Sequence, residues 1–237
     1  TISKSSLHFN TKLYTGNGGT QSITGVGFPA DFIWVKARDG ATNYYHYLQD
    51  IVRGTQKILY SNTNDAEATI TAGINTVGSD GWTTGSQGAL NDNGDNFVAW
   101  NWKANGQGSS NTDGSINTTY TSVNSTAGFS ISKYTGTGSN ATFGHGLGVK
   151  PDMFIIKRLD SSVSWYVYHH SMTASYYLNL NLSQAQQSNN RFNGEPDTSV
   201  IKLQTHAAVN GSGDTYICYA FANKKGYSRF GTYTGNG

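Results

Sequence analysis

The chain has 237 residues and a net charge of +2, and only 13% of its residues are charged, about half the roughly 25% of an average soluble domain. A hydrophobic fraction of 36% with so little net charge excludes a disordered chain. The weak charge argues against nucleic acid as a partner, and the lack of a long apolar run argues against membrane insertion. The single cysteine, Cys218, cannot form an internal disulfide.

The first half of the chain predicts strands separated by tight turns. Apolar, β-branched and aromatic residues run over 32–36 and again over 97–102. Both runs carry aromatic residues at alternate and adjacent positions, which indicates strands covered on two faces or facing a partner chain. Asp39-Gly40 is one of several turn dipeptides between such runs. Helical patterning is limited to short stretches at 47–54 and 182–188.

The middle of the chain has the composition of a linker. Residues 106–126 are rich in Gly, Ser, Thr and Asn, although an alternating run at 116–120 predicts a strand. We expect this strand to form a hairpin with residues 128–134 around Asn124-Ser125-Thr126. The boundary between two units is predicted near Gly108.

The second half of the chain repeats the first. The string Tyr-Thr-Gly-Asn-Gly at 14–18 returns as Tyr-Thr-Gly-Thr-Gly at 134–138. Further blocks return in the same order: 29–36 as 150–157, Tyr45-His46 as Tyr168-His169, 57–59 as 176–178, and 93–100 as 212–219. In the last block Cys218 stands where the first half has Ala99, so we expect it to be a buried, small apolar side chain. This duplication predicts an all-β protein of two tandem antiparallel β-sandwich repeats, jelly-roll-like, over residues 1–108 and 109–237.

The last residues of the sequence reproduce the opening block once more. Residues 233–237 read Tyr-Thr-Gly-Asn-Gly, as residues 14–18 do. Two interpretations are open: the sequence is a window from a longer array whose third unit starts here, or a final strand caps the second unit. We favour the first, because a Gly-Asn-Gly end has nothing to anchor it.

Acidic residues in pairs suited to catalysis are scarce. Only two glutamates occur, Glu67 and Glu195, whereas glycosidases place two carboxylates about 5 to 10 Å apart. The nearest pair, in Glu195-Pro196-Asp197, has the composition of a loop. The sequence has no nucleophile elbow and no P-loop. We therefore expect no enzymatic activity, no catalytic residue and no cofactor.

Two patterns raise the question of a metal. His46 and His169 follow Tyr residues at matched positions and could join Asp39 or Asp160, or each could make a structural hydrogen bond to a strand. The string at 91–95, Asn-Asp-Asn-Gly-Asp, resembles a calcium loop but lacks its bidentate Glu. A structural histidine and a hairpin turn explain both patterns, so no metal site is predicted.

The aromatic residues are the candidates for binding. Exposed Tyr and Trp provide rigid contact area that suits sugar or protein recognition. Two clusters alternate along predicted strands and are expected to place some rings outward: Tyr44, Tyr45 and Tyr47, and Trp165, Tyr166 and Tyr168. The alternative for any single ring is a place in the sandwich core.

Several strings together resemble a repeat found in tail-fibre-like and other structural proteins of marine bacteriophages. These strings lie at residues 8–18, 25–32, 52–54 with 61–63, and 144–148. The resemblance covers nearly the whole chain and implies a β-sandwich similar to concanavalin-like or laminin-G-like domains. It also implies a place in the virion, outside the cell, among copies of the chain and other virion proteins.

These observations lead to an expected function. The chain is expected to be a non-enzymatic phage virion structural protein, in a tail fibre or surface appendage, that is oligomeric and contributes to host attachment, with a host surface glycan as a further partner. Uncharged β surfaces can pack laterally without repulsion, which suits such a fibre. The alternative is a secreted bacterial carbohydrate-binding or adhesin module.

Overall fold

The computed structural model describes residues 1–40, 44–174, 176–188 and 190–236. Its regular elements in this part of the chain are almost all β-strands, and every strand pair is antiparallel. The exceptions are a 3-10 turn at Ser5–Leu7 and two helical turns, α1 (Gly88–Asn91) and α2 (Ala207–Asn210). The predicted all-β sandwich is therefore confirmed. The helical stretches expected at 47–54 and 182–188 are wrong, because both segments are used by strands and turns.

Nine strands are described in the first half of the chain. They are β1 (Phe9–Thr15), β2 (Gln21–Ile23), β3 (Phe32–Ala37), β4 (Tyr47–Asp50), β5 (Lys57–Tyr60), β6 (Ala68–Thr69), β7 (Ile74–Gly78), β8 (Gly81–Thr84) and β9 (Asn96–Trp102). Six of them form a sheet in the order β1-β9-β3-β4-β5-β6, here called sheet A. The other three form a small sheet in the order β2-β8-β7.

Nine more strands are described in the second half. They are β10 (Tyr120–Asn124), β11 (Phe129–Thr135), β12 (Ala141–Gly144), β13 (Met153–Arg158), β14 (Tyr166–His169), β15 (Tyr176–Asn179), β16 (Gln187–Ser188), β17 (Val200–Leu203) and β18 (Thr215–Phe221). Seven form a sheet in the order β10-β11-β18-β13-β14-β15-β16, here called sheet B, and β12 pairs with β17 in a small sheet.

The hairpin predicted around residues 124–126 is confirmed, and it joins β10 to β11. The Asn124 carboxamide accepts a hydrogen bond from the backbone N–H of Ala127 at 3.0 Å. Gly128 then adopts a φ of +69°, where a Cβ atom would meet the carbonyl oxygen of Ala222 at 2.9 Å. The first strand of the hairpin starts at Tyr120 rather than at residue 116.

Sheets A and B have the same strand order once β10 is set aside. Strand β1 corresponds to β11, β9 to β18, β3 to β13, and β4 to β14, and a helical turn precedes both β9 and β18. The domain boundary near residue 108 and the number of repeats in a longer chain remain predictions.

The register corrects one predicted equivalence. Val35 lies opposite Tyr47 in sheet A, and Ile156 lies opposite Tyr166 in sheet B, so Tyr47 corresponds to Tyr166. His46 therefore corresponds to Trp165 and not to His169. An asparagine supports this alignment, because the backbone N–H of His46 donates to Asn62 and that of Trp165 donates to Asn181. The two histidines matched in sequence through the shared Tyr-His dipeptide, but the connections before β4 and β14 differ in length, so the dipeptides take different positions in the two sheets.

Alternating side chains divide the described part of the interior into three hydrophobic cores. In β18, Tyr216 and Cys218 face the core shared with the small sheet β12-β17, while Ile217 and Tyr219 face sheet A. A matching core lies between sheet A and β2-β8-β7. The four sheets thus stack as layers, with sheets A and B packed face to face in the middle. Cys218 is buried, as predicted for a small apolar side chain.

Candidate binding surface

A buried ion pair lies in the core between sheets A and B. Arg53 and Asp50 pair with side chains that are fully buried, and the guanidinium also donates to the carbonyl oxygen of Leu48 at 3.2 Å. From sheet B, the Tyr219 hydroxyl donates to the same Asp50 carboxylate at 2.6 Å. Burial raises the pKa of Tyr219 well above its usual value. A hydrogen-bonded charge pair at this position links the two large sheets.

Trp165 forms a second link between the sheets. It precedes β14, is fully buried, and sits in the core shared with sheet A. Its indole Nε1 donates to the carbonyl oxygen of Tyr60 at 2.9 Å and to that of Thr63 at 3.2 Å. Both acceptors belong to the first half of the chain, so one side chain from the second half holds the end of β5.

An apolar cleft of about 320 Å³ separates part of the two sheets. Phe32, Phe129, Trp165 and Tyr219 lie among its lining side chains, and Phe230 lines it from the C-terminal segment. The cleft leads outward along β3 and β9, because Trp34 and Trp102 line both the cleft and a groove at the surface.

That surface groove is lined by Trp34, His46, Trp100 and Trp102, and is called here the Trp groove. All four side chains are half-buried, and the groove has a volume of about 340 Å³. Trp34 and Trp100 lie directly opposite each other on neighbouring strands, with ring centres 6.4 Å apart and planes at 81°. The Trp34 indole Nε1 donates to His46 Nδ1 at 3.2 Å. Three indoles and one imidazole therefore share one open surface.

The hydrogen bond from Trp34 determines which tautomer the neutral His46 ring adopts. Because Nδ1 accepts a hydrogen bond, the neutral imidazole carries its proton on Nε2, which is then a donor. Burial, and next the charge of Lys36, lower the pKa of His46. The ammonium group of Lys36 donates to the carbonyl oxygen of Tyr44 at 2.8 Å. The groove thus presents aromatic faces and a neutral hydrogen-bond donor.

The structure places most of the six predicted binding residues in cores. Tyr47, Trp165, Tyr166 and Tyr168 have buried side chains. Strands β4 and β14 are internal strands covered on both faces, so alternation along them turns no large ring outward. The two clusters belong to different sheets and do not converge on one surface.

The other two predicted residues lie closer to the surface. The half-buried Tyr44 donates its hydroxyl to Asp92 at 2.8 Å. Tyr45 is 51% exposed, and its ring contacts that of Tyr60 with centres 5.3 Å apart. Tyr45 precedes His46 of the Trp groove, so this end of the predicted cluster lies next to the groove.

The tryptophans of the groove were not selected from the sequence. Trp100 and Trp102 alternate along β9, and Trp34 occupies the neighbouring strand β3. Because Trp100 and Trp102 are two positions apart, the sequence shows that one face of this strand carries large aromatic rings. The sequence did not indicate that Trp34 pairs with Trp100, because that requires the order of strands in the sheet.

The calcium-like string at 91–95 forms a turn. Asn91 is fully buried and donates to the carbonyl oxygens of Gly19 and Gly85, at 2.6 and 3.0 Å. Asp92 accepts a hydrogen bond from the backbone N–H of Asn93 at 3.0 Å. Within the described residues, no group of three or more His, Cys, Asp or Glu side chains is arranged to hold a metal ion.

Matched carboxylates stabilise the ends of the central strands. Asp31 accepts from the backbone N–H of Ala104, and Asp152 accepts from that of Asn223, both at 2.6 Å. At the other end, the N–H of Asn96 donates to Asp39 at 2.7 Å, and that of Thr215 donates to Asp160 at 2.8 Å. These hydrogen bonds hold β9 and β18 in place in the same way in both sheets.

The fold and the groove define a multilayer β-sandwich protein with an exposed aromatic surface. The model of a family described as a domain of unknown function, DUF7483, matches residues 4–237, and the chain belongs to this family. No curated protein and no solved structure matches the chain. Among the described residues, no helix is long and apolar enough to cross a membrane.

Proposed function

We propose that the chain is a non-enzymatic structural module of a bacteriophage virion, in a tail fibre or other surface appendage, and that it contributes to host attachment. The Trp groove is the observation that carries the attachment part of this proposal, and the resemblance of the strings described above to phage structural repeats supports the virion location. Half-buried tryptophans expose apolar surface to water, and Trp is enriched at the centres of recognition surfaces. In an attachment protein such a surface is the contact with the host.

The scaffold under the groove suits an appendage that must stay rigid. Sheets A and B share one core, and the Arg53–Asp50 pair with Tyr219 links them inside it. A charged fraction of 13% allows neighbouring copies to pack side by side with little repulsion. The proposed partners are accordingly copies of the chain, other virion proteins and a glycan on the host surface, and the proposed location is the virion, outside the cell.

The non-enzymatic part of the proposal is supported by the tasks of the carboxylates. Asp31, Asp39, Asp152 and Asp160 accept hydrogen bonds from backbone amides at the ends of β9 and β18. Glu67 pairs with Arg53, and Glu195 with Lys150. These groups stabilise the fold. Release of reducing sugar from host polysaccharide by the purified chain would overturn this part of the proposal.

A secreted bacterial carbohydrate-binding or adhesin module is the second candidate. The Trp groove favours it equally, because an aromatic surface on a rigid sandwich serves a secreted module as well as a fibre. The two candidates differ in location and in origin, so a test of location separates them.

The proposal is tested by locating the chain and blocking attachment. Gold-labelled antibodies raised against the chain should decorate the appendages of intact virions. The purified chain should also compete with those virions for adsorption to host cells, and a Trp34→Ala/Trp100→Ala variant should compete less well. Antibody that labels the culture medium of a bacterium and not virions would replace the virion proposal with the secreted module.

A further inference from the structure

The Trp groove combines flat apolar faces with hydrogen-bonding groups at its edge. Thr11 lies opposite Trp100 in the register, so its hydroxyl is on the same face of sheet A, and the residue is exposed. On the other side, His46 Nδ1 accepts from Trp34, which leaves the N–H at Nε2 as the donor of the ring. The indoles are therefore flanked by a hydroxyl group and an imidazole N–H.

The fold does not require tryptophan at these positions, since Tyr219 corresponds to Trp100 and Phe221 to Trp102. In sheet B, Ile155 corresponds to Trp34 and Ile131 corresponds to Thr11, and both isoleucines are buried against sheet A. An aliphatic side chain thus replaces Trp34 where the face is covered, and the aromatic counterpart of Trp100, Tyr219, is itself buried there. Three tryptophans on the half of sheet A that stays open point to a ligand that uses ring faces.

We propose that the Trp groove binds an uncharged hexopyranose ring of a surface glycan. Because the planes of Trp34 and Trp100 are 81° apart, one C–H face of the sugar lies against one indole and the rim of the sugar ring contacts the other. The hydroxyl groups of the sugar meet Thr11 and His46 at the edge of the groove. This inference rests on the proposed attachment function and names its ligand.

The chemistry of the groove selects this class of ligand over two others. An acyl chain would cover the indoles but would make no hydrogen bond with Thr11 or His46 at the edge, whereas the hydroxyl groups of a sugar can bond to both. An ionic sugar would find three indoles and a neutral imidazole as its lining, with no opposite charge among them. The ammonium group of Lys36, whose charge acts on His46, is already bonded to the carbonyl oxygen of Tyr44. The volume of about 340 Å³ lies at the lower end of ligand-site volumes, roughly 300 to 1,000 Å³, and suits a ligand of one or two rings.

The indole N–H signals of the five tryptophans provide the test. Neutral gluco-, galacto- and manno-oligosaccharides would be titrated into the ¹⁵N-labelled chain, with an oligouronate and octanoate as separate titrations. A neutral oligosaccharide should shift the signals of Trp34, Trp100 and Trp102. Trp82 is buried in the core behind sheet A and serves as the internal control that should not move. Trp165 lines the cleft that continues from the groove, so an unchanged Trp165 signal would show that the ligand stays in the groove.

Two variants make the test specific. Trp100→Ala should raise the dissociation constant of the neutral sugar at least tenfold, while unchanged Trp82 and Trp165 signals would show that the chain is folded. The matched control is Leu13→Ala, because Leu13 is 61% exposed on the neighbouring strand β1 and lies outside the groove lining. This variant should bind as the wild type does.

The inference is overturned if no neutral oligosaccharide shifts the groove signals, or if only the oligouronate or octanoate does. Equal loss of binding in the Leu13→Ala variant would also overturn it. These failures differ from failure of the proposed function. If the chain is found on virions and blocks adsorption but binds no neutral sugar, the attachment function stands and the glycan ligand is rejected. If the chain binds neutral sugar but is found only in culture medium, the ligand stands and the virion role is rejected.

Discussion

The facing surfaces of sheets A and B have the same strand order but different coverage. Tyr219 in β18 is 1% exposed, while Trp100, the corresponding residue in β9, is half-buried. Trp165 is fully buried, while the corresponding His46 lines the Trp groove. One topology therefore produces a covered face in one sheet and a half-open face in the other. The comparison shows that strand order alone does not decide whether a position serves packing or recognition.

The side chains on the two faces match their coverage. Sheet B presents Ile131, Ile155 and Ile217 to sheet A, and all three are buried. The open part of sheet A presents indoles with polar neighbours instead. Branched aliphatic side chains gain stability only when they are covered, whereas an indole with a bound N–H tolerates partial exposure. The residue types on each face thus fit the environment that each face meets.

The largest expected effect is the difference in stability loss between substitutions at Trp165 and at its counterpart, His46. Trp165→Ala should lower the free energy of unfolding by about 3–5 kcal/mol, because it empties a buried site and removes hydrogen bonds to Tyr60 and Thr63. His46→Ala should cost less than about 1 kcal/mol. Denaturant unfolding followed by circular dichroism measures both. Similar losses in the two variants would show that the two positions have the same role.

A second pair of substitutions tests two equivalent positions at which the two halves should lose the same amount of stability. Asn91→Ala and Asn210→Ala should each cost about 3 kcal/mol, because each removes two donors to backbone carbonyls and one acceptor for a backbone N–H. Asn210 donates to Ser139 and Gln204 and accepts from the N–H of Thr137, as Asn91 does at the corresponding sites. The same denaturation experiment should give values that agree within about 0.5 kcal/mol. A large difference would contradict the structural equivalence of these loops.

A smaller effect is expected from the hydroxyl group of Tyr219. Tyr219→Phe should cost about 2 kcal/mol, because the buried Asp50 carboxylate loses a hydrogen-bond donor while the ring remains. Trp100→Phe at the corresponding position of sheet A is the control, and it should change stability by less than about 1 kcal/mol. Thermal unfolding of the two variants measures the loss of stability. Equal decreases in unfolding temperature would show that the Tyr219 hydroxyl group does not stabilise the core.

The smallest effect is a dependence of stability on pH near neutrality. Burial lowers the pKa of His145 below its ordinary value of 6.5, and burial with the charge of Lys36 does the same for His46. Since the unfolded chain takes up protons near pH 6.5 and the folded chain does so only at lower pH, the free energy of unfolding should fall as the pH drops from about 7 towards 5.

Variants assign this pH dependence to the two halves. His145 is fully buried and its Nδ1 accepts the backbone N–H of Leu147, so His145→Asn should flatten the curve more than His46→Asn does. Asp39 and Asp160 have lowered pKa values, and their stabilisation is lost only as the pH falls through the more acidic range near 3.8. Denaturation midpoints between pH 5 and 7.5 measure the effect. An unchanged slope in His145→Asn would contradict it.

Local patterns in the sequence predicted part of this structure well. The apolar runs at 32–36 and 97–102 form strands β3 and β9, and the turn at 124–126 joins β10 to β11. These features depend on residues close in sequence, such as the amide of Asn124 bonded to Ala127. Cys218 was predicted to be buried because it replaces an alanine in a corresponding strand run.

The candidate site was predicted less well, for a physical reason. Tyr47 and Tyr168 lie in internal strands, and whether such strands are covered depends on sheets that pack from both sides. Alternation shows which side chains share a face, but it does not show which face is covered. The pairing of Trp34 with Trp100 also depends on residues 66 positions apart meeting in one register. The match of His46 with His169 failed for the same reason, since register follows strand pairing and not sequence order.

The low charge, the duplicated blocks and the alternating strands were determined by the sequence alone, because they follow from composition and local residue order. The coverage of each sheet was decided only by the tertiary structure. Sheet B buries Ile131, Ile155 and Tyr219 on the face towards sheet A, whereas sheet A covers its Phe32 end and leaves Trp34 and Trp100 half-buried. Whether a side chain is buried depends on both surfaces in a contact. The sequence of one strand shows which side chains share a face, but it does not show which other sheet packs against that face.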